Sequence, residues 1–181
     1  VENLRRYYGL EQKPVRVIDP YQMLGEVDQE LIDILGIDVV GAWGRTNMFG
    51  FENHTPFKEI KTLWGQKVLV PEKFTISEDV KGDWLMYPEG DSTAKPSARM
   101  PKNGFFFDAI IRQETLVEDN ISVEDNLEEF TLISEDDLDF WEKEVDRAFN
   151  TGKAVIAGFG GTALGDIALV PAMQLKYPKG V

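Results

Sequence analysis

The chain has 181 residues, 43% hydrophobic and 28% charged, the composition of a folded domain with its own core. Its 32 acidic against 19 basic residues leave a net charge of −13, a field that excludes nucleic acid and anionic membranes as main partners. No cysteine is present, which excludes disulfides and thiolate metal sites, and no run is long and apolar enough to span a bilayer.

The lack of cysteine and of a basic, apolar opening segment fits a cytoplasmic protein. The chain opens on Val1 and stops at Val181 just after Tyr177-Pro178-Lys179-Gly180. Both ends suggest a piece of a longer protein.

Residues 15–18 (VRVI) predict a short buried strand, ended by Asp19-Pro20. VDQELIDILG then predicts a helix with legible ends. Asp28 can accept hydrogen bonds from the first-turn amides. Val27 and Ile32 stand at staple spacing. Leu31, Ile32 and Leu35 form one apolar stripe, and Gly36 suits a left-handed exit. IDVVGA (37–42) predicts a second buried strand. Strand, helix and strand with short joints read as a βαβ unit with parallel strands.

His54 is the chain's single histidine, and its neighbours Glu52 and Asn53 make no ligand set with it. It reads as an ordinary imidazole. QKVLV (66–70) and DWLMY (83–87) predict a hairpin or small antiparallel excursion. Residues 90–104, with two prolines and several small polar residues, read as a loop. GFFFDAII (104–111) returns to strand-like apolar density.

Residues 114–146 hold 14 of the 32 acidic residues, which reads as a solvated face. Within that run, Ser134 with Asp137 three residues on resembles a capping box. Leu138, Trp141, Val145, Ala148 and Phe149 follow at helical spacing. The acidic first turn complements the helix dipole. AVIAG (154–158) predicts another buried parallel strand.

That strand runs into AVIAGFGGTALGD (154–166), where Gly158, Gly160 and Ala163 spell a relaxed dinucleotide fingerprint. The fingerprint requires an acidic residue about 20 positions on to hold a ribose. Lys176 to Val181 offer none. The alternative is a barrel strand opening into a small-residue loop that lets a ligand approach the backbone. Polar residues just past the predicted strands fit that alternative: Asp19, Tyr21 and Gln22 after the first, Arg45, Thr46 and Asn47 after the second. Each also suits a plain cap or turn. Arg99 can hold a carboxylate in bidentate fashion or stay a solvated loop charge.

The runs KPVRVIDPYQMLGEV, LGIDVVG, WGQKVLVP, YPEGD, PSARMPKNGFFFDAI and EDNLEEF resemble the uroporphyrinogen decarboxylase superfamily, nearest its corrinoid-linked methyltransferase-like branch. The resemblance spans residues 13 to 181 and is spread rather than concentrated in one motif. It implies an α/β fold, a (β/α)₈ TIM barrel with its site at the strands' carboxyl ends. The decarboxylases of that superfamily remove acetate carboxyls from a tetrapyrrole, with arginines holding the carboxylates. The methyltransferases move a methyl group between a corrinoid cobalt on a partner protein and an acceptor, several with zinc bound by His and Cys.

This sequence departs from both patterns. An Arg-Gln-Ala-Gly-Arg motif is missing, and Asp19-Pro20-Tyr21-Gln22 stands nearest its place without an arginine. With no cysteine, zinc would have to come from a C-terminal half. The expectation is therefore one domain over 1–181, the N-terminal part of a barrel carrying an inserted antiparallel excursion. The barrel would be completed by the missing C-terminal half or a second copy of the chain. Tyr21, Gln22, Arg45, Asn47, Arg99 and Phe159 would line the substrate rim. The rival expectations are a tetrapyrrole decarboxylase and a non-catalytic binding or assembly module.

Overall fold

The computed structural model describes residues 1–54, 56–112, 115, 117–120, 122, 124, 132–158 and 173–178. The strand β1 (Val15–Asp19) buries Val15 and Val17 on alternate positions, the period-two pattern of a half-covered strand. The chain turns back at once. The Asp19 side chain accepts from the amides of Tyr21 and Gln22, and Met23 takes a positive φ of 53°. The short strand β2 (Leu24–Gly25) then pairs antiparallel with β1.

Helix α2 (Gln29–Leu35) follows the short N-terminal helix α1 (Glu2–Tyr7) in chain order. Asp28 caps α2 by accepting from the Leu31 amide, and Gly36 closes it at φ 64°, as their residue types dictate. Arg5, buried on α1, donates to Asp28 at 2.6 Å and to Glu30 at 2.8 Å, which ties the two helices together.

The strand β3 (Val39–Trp43) comes next, and then an antiparallel run. β4 (Phe57–Lys61) and β5 (Lys67–Pro71) form a hairpin closed by Thr62 and Gln66. Three short strands, β6 (Ile76–Glu78), β7 (Trp84–Met86) and β8 (Ala98–Met100), build a second antiparallel sheet with β9 (Asp108–Ala109) at its edge. Helix α3 (Glu135–Phe149) starts at Ser134, whose side chain accepts from the Asp137 amide and donates to the Asp137 carboxylate. β10 (Ala154–Gly158) ends the described strands and pairs parallel with β3, residue for residue from Val39–Ala154 to Trp43–Gly158.

Two apolar clusters result. The larger joins Val17, Val68 and Val70 to Phe49, Phe51, Phe74 and Phe107, and to Met86 and Met100. It fills the space between the β2-β1-β5-β4 sheet and the β6-β7-β8-β9 sheet. The smaller sets Val40 and Ala42 of β3 on Ala148 and Trp141 of α3, with Ile32 from α2.

This arrangement is not a partial (β/α)₈ barrel. The described strands form three small sheets, two of them wholly or mostly antiparallel, and no ring of parallel strands. The expected βαβ unit of 15–18 and 37–42 does not form. Both edges of β1 are already taken, one by β2 and the other by β5, so no edge remains for β3. β3 finds its parallel partner in β10 instead. QKVLV and DWLMY each join an antiparallel ladder, in different sheets. Of GFFFDAII, only Asp108 and Ala109 are in a strand; Phe107 is fully buried while Phe105 and Phe106 face out. Among the described residues no helix is long and apolar enough to cross a membrane.

Candidate functional site

The β3–α3–β10 unit is a parallel pair with a helical crossover. In open α/β arrangements ligands meet the carboxyl ends of such strands. Here that end is formed by Trp43, Gly44 and Arg45 after β3. The 53–54 segment folds back over it: the Asn53 amide donates to the Arg45 carbonyl, and the Asn53 side chain donates to the Gly44 carbonyl. The first turn of α3 closes the other side, where Arg45 Nε stands 3.0 Å from an Asp137 carboxylate oxygen. The Ser134 hydroxyl, with burial opposing and Arg45 assisting, holds the Asp137 carboxyl below its ordinary range.

His54 turns toward α3. Its ring meets the Phe140 ring edge-on at 5.1 Å, and its Nε2 lies 3.7 Å from a Glu144 oxygen. Glu144 is only 5% exposed. It accepts from Arg147 Nε and Nη2, both at 2.8 Å, and from the Trp43 amide. Burial pushes the Glu144 carboxyl up, but Arg147, His54 and the Trp43 amide together hold it below its ordinary value.

Arg147 also donates to the Gly41 carbonyl at 2.8 Å. The Glu144–Arg147 pair thus accepts from one backbone group of β3 and donates to another, as a neighbouring strand would. Those charged side chains cap a strand edge that would otherwise invite pairing.

On the outer face of the pair, Val39, Trp43 and Ile156 are 41%, 53% and 59% exposed. The Trp43 indole lies over Gly41 and against Gly158, in the space that a β carbon at either position would need.

The sequence-selected residues do not share one rim. Arg45 belongs to the edge just described. Tyr21 is half-buried against Phe49, ring centroids 6.2 Å apart, and its carbonyl accepts from the Phe107 amide, so it serves the larger core. Gln22 is exposed in the β1–β2 turn. Asn47 shapes its own loop by accepting from the Phe49 and Phe51 amides, which aims both rings into the core. Arg99 points out from β8, in a sheet remote in topology from β3, and clasps the buried Asp83. The Lys102 amide and Arg99 hold the Asp83 carboxyl below its usual range, so Arg99 is committed inside the protein. Phe159 and the rest of the glycine-rich 159–166 segment lie outside the described residues.

Glu144 and Arg147 carry no sequence signal of function. They sit in an acidic helix whose charges read as solvated, and only the fold turns them inward. His54 has Glu144 as its carboxylate neighbour, and among the described residues no three His, Asp or Glu side chains converge as a metal site. The described residues therefore do not fit the zinc that the resemblance implies.

No protein-family model, curated protein or solved structure matches this chain.

Proposed function

We propose that this chain is part of a uroporphyrinogen-decarboxylase-like enzyme of corrinoid-dependent methyl transfer, and that the Arg45–His54–Glu144 edge is where it meets its ligand. The reaction class rests on the sequence resemblance alone. The placement rests on one observation: α3 holds Arg45 at Asp137 in its first turn and His54 at the buried Glu144 two turns on, both beside the carboxyl-terminal part of β3. Arg45 would orient a ligand carboxylate, at the expense of its contact with Asp137. His54, steadied by Phe140 and facing Glu144, would hold or pass a proton. The exposed Trp43 indole would cover a planar apolar body. The corrinoid, carried by a partner protein, would supply the methyl group. Uroporphyrinogen decarboxylation is the alternative chemistry for the same arginine.

A second reading is a non-catalytic binding or assembly module. The exposed row of Val39, Trp43 and Ile156 favours it, since parallel sheets are ordinarily covered on both faces.

His54 is the sole histidine, so its ring signals give an unambiguous NMR reporter. Methylcobalamin should shift the His54 and Arg45 side-chain signals saturably, and R45Q should abolish the response. Shifts with uroporphyrin III alone would favour the decarboxylase chemistry. No shift with either, together with a concentration-dependent doubling of mass, would replace the enzyme reading with the assembly one.

A further inference from the structure

Helix α3 sorts its side chains by flank. Successive residues turn by about 100°, and Trp141 and Ala148 point down onto the sheet. Asp137, Phe140, Glu144 and Arg147 fall on the flank that reaches Arg45, His54 and the free edge of β3. Leu138, Val145 and Phe149 fall on the opposite flank, the side of β10, and are 49%, 39% and 75% exposed. The charges divide the same way. Glu135, Asp139, Glu142 and Asp146 lie on the β10 half of the helix, all exposed and without an ion pair among the described residues. Both basic residues of α3, Lys143 and Arg147, lie on the β3 half.

Beneath that flank runs an open strand edge. Among the described residues β10 pairs only with β3. The Ala154 amide donates to the Asp38 carbonyl, so Ala154, Ile156 and Gly158 turn their main-chain groups toward β3. By the same alternation Val155 and Ala157 turn theirs outward. The edge strand β4 is guarded by Lys58, Glu59 and Lys61, whereas AVIAG carries no charge. On the face away from α3, Ile156 continues the exposed apolar row of Trp43.

We propose that a basic, alternating β-strand of another protein adds to the β10 edge. Its main chain bonds the outward groups of Val155 and Ala157. On the α3 side it presents Lys or Arg, their stems along Val145 and Phe149 and their charged ends at Glu142 and Asp146. Its alternate residues are apolar and extend the row of Trp43 and Ile156. Charge selects this occupant over a second copy of the chain. Two copies paired through β10 would set one acidic half-helix beside another, each in a chain of net charge −13.

The test is an NMR titration of the whole chain with a capped peptide of about seven residues alternating lysine and valine. Parallel arms replace the lysines by glutamate or the valines by serine. Saturable binding of the lysine–valine peptide is expected. It should slow hydrogen exchange at the Val155 and Ala157 amides and leave Ala154 and Ile156 as they were. E142K/D146K, at two exposed positions, should weaken it by about tenfold, the loss of two surface ion pairs. F149S supplies a second loss variant through the apolar flank. Equal binding of the glutamate–valine or the lysine–serine peptide would overturn the inference. So would unchanged exchange at Val155 and Ala157, or full affinity in E142K/D146K. Protection of those amides that grows with protein concentration, without peptide, would give the edge to a second copy and overturn it too. The β10 edge lies across α3 from Arg45 and His54, so this inference and the proposed function can fail separately.

Discussion

Replacing Glu144 by glutamine tests the most consequential contact in the β3–α3–β10 unit. The carboxylate is nearly buried and accepts two hydrogen bonds from Arg147 and one from the Trp43 amide. A hydrogen bond to a charged group contributes about 1.5–3 kcal/mol. Arg147 is half-exposed, so water re-solvates part of what the variant leaves unpaired, and glutamine keeps one acceptor. The net loss in E144Q is therefore about 2 kcal/mol at neutral pH. For a chain of this size that lowers the melting temperature by about 4–8 °C. Circular dichroism melts of the two proteins measure it. The pH dependence sharpens the test. The folded carboxyl titrates below its ordinary value of 4.5, so its stabilisation is complete above that value. It is lost as pH falls through the lower folded value. The gap between wild type and E144Q should close in acid. A shift below about 1 °C at neutral pH, where the arithmetic above demands several degrees, would refute the reasoning. So would a gap that persists unchanged in acid.

Phe51→Ala should cost about 3–5 kcal/mol in chemical unfolding, because Phe51 is fully buried between Phe49 and Phe74. Gly90→Ala should cost about 1–3 kcal/mol by the same assay: Gly90 holds φ 79°, and a β carbon there would run into the Lys73 carbonyl. The Asp91 carboxyl, bonded by Lys176 and by Thr93, is pulled down to about 2. Its carboxyl-carbon NMR titration should show that midpoint, and K176M should return it toward the ordinary 3.8.

What was legible in the sequence was mainly local. Asp28, Gly36 and Ser134 announce helix ends because a cap acts within three or four residues, and the structure uses each of them that way. AVIAG reads as a buried parallel strand; it is parallel, but its residues are mostly exposed. The sheet order was not legible. Whether β1 lies beside β3 depends on which strand occupies its edges first. That is settled by the reversal at Asp19–Met23 and by β5, some fifty residues on. A βαβ pattern of apolar runs cannot register that competition, because the two-residue strand β2 that takes the edge has no periodicity to find.

The same reasoning separates the candidate residues. Tyr21, Gln22 and Arg99 were selected for chemical type just past predicted strands or in a loop, and the structure spends them on core, turn and ion pair. Arg45 survives at the edge because the strand before it is real and parallel. Glu144 and Arg147 were hidden in a charge run of the kind that ordinarily faces water. Their role follows from a vacancy in backbone pairing: among the described residues β3 pairs only with β10, so its other edge holds the Gly41 carbonyl and the Trp43 amide, and the one acid–base pair within reach on α3 takes both. A buried carboxylate created by a structural need then stands beside the only histidine. Structural capping and chemical potential are thus properties of the same side chain here, and E144Q should move the His54 ring signals as well as the melting temperature. An E144Q protein that loses stability with its His54 spectrum untouched would leave Glu144 a strand cap and nothing more.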